Sequence, residues 1–207
     1  MASDRDVRYT AGTIEFRIDH GTEGSLGTIT GYAAVFDSAS EDLGGFTEFI
    51  ADGAFDDVLS GNPDVRGLSN HDSNRLLGRT SAGTMRLSQD GKGLRYEIDV
   101  ADTVPGRDTV TSTKRGDTTG SSFSFTVKSD EWKTVEGAQQ RTITAIDELF
   151  DVGPVTFPAY TATIAEASRR SLDAAVAETK KRAQDAADRP HYAARIARVD
   201  ADVAKYL

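Results

Sequence analysis

Cysteine is absent from all 207 residues of the chain. That excludes disulfides, thiolate metal sites and a cysteine nucleophile, and it agrees with a reducing compartment. Histidine is almost as scarce, with His20, His71 and His191 the three in the sequence. So few imidazoles among scattered carboxylates do not make a zinc ligand set, and the expectation is no metal and no cofactor. No stretch approaches the ~20 apolar residues that a bilayer-spanning helix requires. The opening "MASDRDVRYT" lacks the apolar core of a signal peptide, so a soluble protein is expected. A phosphate-cradling loop is missing too, since "GTEGSLG" has neither the lysine nor the strand–helix setting of one.

The formal net charge is −9, unevenly placed. Residues 165–207 hold nine Lys/Arg and seven Asp/Glu, a net of +2, which leaves 15 and 26 in residues 1–164, a net of −11. An acidic body without a basic cluster disfavours nucleic acid as a partner, because phosphate neutralisation needs clustered cations.

Residues 13–164 read as strands and turns. In "TIEFRI", Ile14, Phe16 and Ile18 alternate on one face of a half-buried strand. "GTITGYAAVF" is a second strand, where Gly31 marks a bulge or a close approach. "MRLSQDGKGLRYEIDV" places Asp90-Gly91-Lys92-Gly93 between two alternating runs, a hairpin signature. "RTITAIDELFDVGPVTF" gives one or two further strands, with Pro154 at an edge or break. Two short helices interrupt them. One starts near Asp52 with Phe55, Val58 and Leu59 at helical spacing, and one runs from Pro105 to a stop at Gly116. Residues 1–12 read as a flexible N-terminus. From Ala165 onward alanine supplies 13 of 43 residues, and no glycine follows Gly153. Residues 165–207 therefore read as a helical tail. Beyond Pro190, the positions Tyr192, Ile196, Val199, Val203 and Tyr206 form a narrow heptad-like seam. The tail reads either as marginal surface helices or as an arm that docks on a helical partner.

Chemistry gathers in three places. His71 stands in "VRGLSNHDSNRLLGR", in a loop after a short strand, where a base on a rigid scaffold commonly sits. Asp72 beside it points elsewhere. In "RGDTTGSSFSFTV" a strand from Ser122 to Val127 puts Ser122, Ser124 and Thr126 on one face and Phe123, Phe125 and Val127 on the other. That hydroxyl face is either a plain solvent face or the seat of a nucleophile, which needs a base such as histidine. In "DELFDVGPVTFPAY", Asp147, Glu148 and Asp151 are either candidates to orient the histidine or merely solvated, and the pattern alone does not choose.

Taken together these segments resemble the prohead serine proteases of tailed bacteriophages. The resemblance rests on Asn70-His71-Asp72 with Leu77-Gly78-Arg79, on Arg115-Gly116-Asp117 leading to Gly120-Ser121-Ser122-Phe123-Ser124-Phe125, and on Leu149 to Tyr160. The upstream "GYAAVFD" and "FTEFIADGAFDDVL" agree with it, and it spans residues 13–163. It implies Ser122 as nucleophile, His71 as general base and Asp151 as orienting acid, with Glu148 as a fallback. Asp151 stands where the family has glutamate, Gly153 where it has serine, Ser121 where it has methionine and Ser124 where it has glycine. Arg79 and Arg115 are the arginines nearest the motifs. The resemblance further implies a closed β-barrel like that of the herpesvirus assemblins, mainly β with short helices and followed by the helical tail. It implies a serine endopeptidase that cleaves the scaffold segment of the major capsid protein, and itself, inside the procapsid in the bacterial host cytoplasm. Partners are then the major capsid protein and its scaffold segment, with a homo-oligomer as a further possibility and no nucleic acid or membrane. The alternative is a non-enzymatic capsid assembly or scaffold protein on the same barrel, and a second is an unrelated β-rich binding module. Geometry discriminates, because an enzyme needs Ser122 Oγ and a His71 ring nitrogen within hydrogen-bond reach.

Overall fold

The computed structural model describes residues 5–11, 14–18, 24–156 and 172–186, and among those from Asp6 to Val155 it has ten strands and two short helices. The chain divides into two units, Met1–Ala167 and Ser168–Leu207. In the first unit one sheet has the order β1 (Asp6–Ala11), β9 (Gly120–Val135), β10 (Ala138–Val155), β5 (Arg66–Leu68) and β6 (Leu76–Arg79), with β4 (Phe46–Ile50) parallel to the first part of β10. A second sheet has the order β2 (Glu15–Arg17), β3 (Ser25–Val35), β8 (Gly93–Ala101) and β7 (Met85–Asp90). The helices are α1 (Asp56–Ser60) and α2 (Val104–Arg115).

Local chemistry accounts for most of these elements. β7 and β8 form the expected hairpin, and Asp90 Oδ1 accepts from the backbone N–H groups of Lys92 and Gly93 to close the turn. α2 begins at the Thr103 cap, whose side chain accepts from Gly106 N, carries proline in its first turn and ends where Gly116 adopts φ 77°. α1 is shorter than its sequence pattern, because residues 52–55 form a turn and the helix starts only at Asp56. Long strands β9 and β10 meet through Glu136 and Gly137, both with positive φ, the geometry of a tight hairpin turn. β10 runs as one strand through Pro154, and its pairing with β5 stops at Val152, before the proline. β1 lies inside residues 1–12, where Asp6–Ala11 pair antiparallel with Phe125–Gly120.

The core lies between the sheets. Ile29, Leu94, Tyr96, Ile98 and Val100 come from one side, and Phe123, Phe125, Ile143, Ile146 and Val152 from the other, all at most 1% exposed. The Phe123 and Phe125 rings stack at 4.6 Å, and burying each contributes about 1.5–3 kcal/mol. Ile18 departs from the expected stripe: Ile14 is buried but Ile18 is 61% exposed, because β2 ends at Arg17 and the pleat that would turn Ile18 inward stops there.

The expected closed barrel is not formed, since neither sheet closes on itself among the described residues. Closure needs a ladder between end strands, and β5 and β6 offer only three and four residues. They meet the other sheet through its face instead. A Cβ on Gly67 or Gly78 would lie 2.8 or 2.9 Å from the Ile98 side chain, so the two glycines let this ribbon rest flat on β8.

In the second unit residues 172–186 are helical, with Leu172 half-buried, Val176 exposed and Arg182 paired to Glu178 one turn away. The seam from Tyr192 to Tyr206, Pro190, His191 and His20 lie outside the described residues.

Candidate active site

The strand β9 sets the site. Its register with β1 pairs Ser122 with Tyr9 and Ser124 with Val7, and its register with β10 pairs Ser122 with Gly153 and Ser124 with Asp151. Directly opposed residues share a face, so Ser122, Ser124 and Asp151 lie on one face while Phe123 and Phe125 enter the core on the other. The hydroxyl face is not a solvent face: Ser122 and Ser124 are 0% exposed and Thr126 is 4% exposed. The three neighbouring serines do different things. Ser121 Oγ bonds Tyr96 Oη at 2.9 Å on the core side, Ser124 Oγ accepts from Arg5 Nε, and Ser122 Oγ contacts His71 Nε2.

Asp151 owes its place to an irregularity. Leu149 pairs with Phe125 on the core face, yet Asp151, two residues on, pairs with Ser124 on the hydroxyl face. A bulge at Phe150 breaks the period of two and re-aims the carboxylate. Asp151 is 1% exposed, and its Oδ1 meets His71 Nδ1 at 2.5 Å while Oδ2 accepts from Arg5 Nη2. Asp147 and Glu148 are exposed and lie away from the histidine, and Glu148 uses its backbone N–H on Thr126 Oγ1.

His71 is held by an unusual backbone. Asn70 and His71 have φ of 56° and 57°, a left-handed conformation that is costly for a histidine. Hydrogen bonds hold it there. Asn70 N donates to Pro154 O at 3.0 Å, Asn70 Oδ1 accepts from Thr156 N at 2.8 Å, and Asp72 N donates to Ser69 O at 3.2 Å. Asp72 Oδ1 accepts from Asn74 N, so its carboxylate shapes the loop and does not face the ring. The Asn-His-Asp motif thus divides its work between anchoring the loop to the end of β10, presenting the imidazole, and closing the turn.

The arrangement is a continuous hydrogen-bonded chain from Asp151 through His71 to Ser122. Asp151 as acceptor at Nδ1 assigns the proton there and leaves Nε2 free to accept from the serine. Arg8 O, 2.9 Å from Ser122 Oγ, is a second acceptor for the one hydroxyl proton, and the Tyr9 ring packs edge-on to His71 with centroids 5.9 Å apart. Among the described residues no group of three or more His, Asp or Glu side chains is gathered in the manner of a metal site. Arg79 and Arg115 are bound elsewhere, to Asp64 and Asp117.

Sequence reasoning missed the whole contribution of β1 and the residue before it, namely the Arg8 carbonyl, Tyr9 and Arg5. The strand "DVRYTA" does alternate, Asp6, Arg8 and Thr10 against Val7, Tyr9 and Ala11, a period of two that could have announced it; its polar side is the one that faces inward, where Asp6 and Arg8 are buried and Arg8 is paired with Glu48. The end of the third motif, residues 157–160, lies outside the described residues.

A sequence model of the caudovirus prohead serine proteases matches residues 13–178. Among solved structures, the bacteriophage T4 capsid assembly protease superimposes with a TM-score of 0.50 at 13% identity, covering 76% of this chain and 100% of that one. At that identity the likeness speaks for the fold alone. No curated protein matches the sequence.

Proposed function

The chain belongs to the caudovirus prohead serine protease family, and from that premise we propose that it hydrolyses peptide bonds through Ser122, with His71 as general base and Asp151 as orienting acid. The observation that carries this reading is the chain of contacts from Asp151 Oδ1 to His71 Nδ1 and from His71 Nε2 to Ser122 Oγ. Ser122 Oγ attacks a substrate carbonyl carbon as its proton passes to His71 Nε2. The tetrahedral intermediate collapses, the C–N bond breaks, and the proton on Nε2 goes to the leaving amine. Water, deprotonated by the same nitrogen, then releases the acyl group and restores the serine. Asp151 holds the tautomer and balances the imidazolium, and it keeps no proton itself.

The substrates in this reading are the scaffold segment of the major capsid protein and the chain's own ends, cleaved inside the procapsid while it matures in the host cytoplasm. Family membership supports this, as does the helical stretch 172–186, which suits docking on a helical scaffold. A non-enzymatic assembly role would give no reason for a strained histidine aimed at a buried serine, so the hydrogen-bonded chain favours the enzyme.

Intact-mass analysis of the purified chain over time tests the proposal, with Ser122→Ala and His71→Ala alongside. Loss of a terminal fragment in the wild type alone is the expected outcome. Equal trimming in all three assigns the cut to another protease. If the wild type cleaves neither itself nor added unprocessed capsid protein, the assembly reading takes its place.

A further inference from the structure

One cation in the site has no part in the reaction so far. Arg5, just before β1, donates from Nη2 to Asp151 Oδ2 and from Nε to Ser124 Oγ. Its guanidinium lies 4.7 Å over the centre of the Phe150 ring, the bulged residue of β10. Asp151 therefore divides its two oxygens, one to His71 and one to Arg5. The Asp151 side chain is 2% exposed and that of Arg5 is 52% exposed. A carboxylate so deeply buried is stable as an anion only with a cation and donors on it. Other charged groups around the pair are turned away. Arg66, the register neighbour of Asp151 on β5, is bonded to Asp64. Asp72 is bonded to Asn74, and Glu148 is exposed. Tyr9 brings its ring to His71 from β1. Among the described residues Arg5 is the cation seated on the outer oxygen of Asp151.

We propose that Arg5 is a positioning residue of the relay, acting through Asp151: it keeps that carboxylate charged and turned so that Oδ1 meets His71 Nδ1. The proposal rests on the Ser122–His71 reading above. Two consequences follow from removing the guanidinium. The carboxylate loses the donor on Oδ2, which the second bond from Arg5 to Ser124 holds in place, so the imidazole is less well aimed. Its charge also becomes matched by His71 alone, which favours the protonated ring that cannot act as a base. A lysine supplies the charge but not the planar fork.

The test uses the full chain and a fluorophosphonate probe, with the adduct mapped to Ser122 by mass and Ser122→Ala as the blank. Labelling rates are measured from pH 5 to 9 for the wild type, Arg5→Ala and Arg5→Lys. In Arg5→Ala the rate at pH 7 is expected to fall about 10-fold or more, and the acid limb of the profile to move to higher pH. Arg5→Lys keeps the limb at the wild-type position with a reduced plateau. Millimolar guanidinium raises the Arg5→Ala rate, since half of the arginine side chain is open to solvent. An Arg5→Ala profile that matches the wild type overturns the proposal. So does a slower rate with an unmoved limb and no rescue, which would mean that Arg5 merely supports the fold. Equal labelling of the wild type and Ser122→Ala would instead sink the Ser122 reading itself, whatever Arg5 does.

Discussion

The hydroxyl of Ser122 carries one proton and has two acceptors in reach, His71 Nε2 and Arg8 O. With neutral His71 donating through Nδ1, the proton of Ser122 is directed to Nε2. With His71 protonated at both nitrogens, Nε2 donates to Ser122 Oγ and the hydroxyl turns to Arg8 O. With the Arg8 carbonyl as second acceptor the buried hydroxyl has a partner in either state, which matters where an unmade bond costs about 1–3 kcal/mol. Gly153 illustrates a different constraint. The family resemblance puts serine at this position, yet a Cβ here would lie 2.0 Å from Leu68 O on β5. In this chain the strand that leads to His71 lies against the bare backbone of β10. Gly153→Ser is therefore expected to lower stability by about 1–3 kcal/mol, read as a lower urea midpoint. A midpoint equal to the wild type's would mean that β5 can move aside without cost.

At the scale of elements, two devices aim the site: the bulge in β10 that turns Asp151, and a close approach on β3. Gly31 is the register partner of Tyr96, and a Cβ on it would meet Tyr96 Oη at 2.5 Å and Ser121 Oγ at 2.9 Å. The missing side chain lets the tyrosine lie across β3 and reach Ser121 on β9 in the other sheet. Burial pushes the Tyr96 phenol well up from its usual range, so it stays a neutral hydrogen-bonding group. Gly31→Ala is expected to cost about 1–3 kcal/mol and to cost less in the Tyr96→Phe background, where the closest atom is gone. Thermal unfolding of the four proteins in this cycle measures the coupling, and additive losses would show that the tyrosine is not what the new methyl strikes. The sequence marked Gly31 as a bulge or a close approach, and the structure selects the close approach. It could not have marked the β10 bulge, because Phe150 and its neighbours look the same whether the ladder is regular or not.

Across the whole molecule the unusual feature is a buried ionic cluster that joins β1, β4, β9 and β10. Arg8 pairs with Glu48 and Asp6, and Arg141 pairs with Glu48 and Asp130. The Arg8 guanidinium lies 5.8 Å from the centre of the Phe125 ring, so the cluster backs onto the strand that holds Ser122. Two arginines face three carboxylates, and Asp6 carries the surplus charge. Burial raises the Asp6 carboxyl above the usual carboxylate range and Glu48 adds to the rise, while Arg8 and Arg141 oppose it. The folded state then holds a proton that the unfolded chain has already released. Asp6 therefore contributes stability that is present at or below about pH 4 and is lost as pH rises through its elevated folded value. Asp6→Asn removes that dependence. Urea unfolding from pH 4 to 7 should show the variant gaining on the wild type as pH rises, and a constant difference would mean that Asp6 is not penalised by burial.

How much of this was legible follows from the range of the interactions involved. The sequence alone determined what depends on near neighbours and on period. It specified the β7–β8 hairpin through Asp90, the limits of α2 through Pro105 and Gly116, and the separation of a phenylalanine face from a serine face on β9. Through the family resemblance its motifs also pointed to Ser122, His71 and, with Glu148 as fallback, Asp151; Ser122 and Asp151 meet His71 across 51 and 80 positions. What it left undecided needed contacts across the fold. Sheet closure depends on whether end strands find a ladder, and here two glycines send β5 and β6 onto a face. The aim of Asp151 depends on one extra residue in a ladder, which brings its carboxylate to His71 while Glu148 stays exposed. The partnership of Arg5, the Arg8 carbonyl and Tyr9 with the site depends on the pairing of β1 with β9, a strand more than a hundred residues away in the chain. Local patterning fixes the direction of a side chain relative to its own strand, whereas the partner that it meets is chosen by the packing of strands remote in sequence.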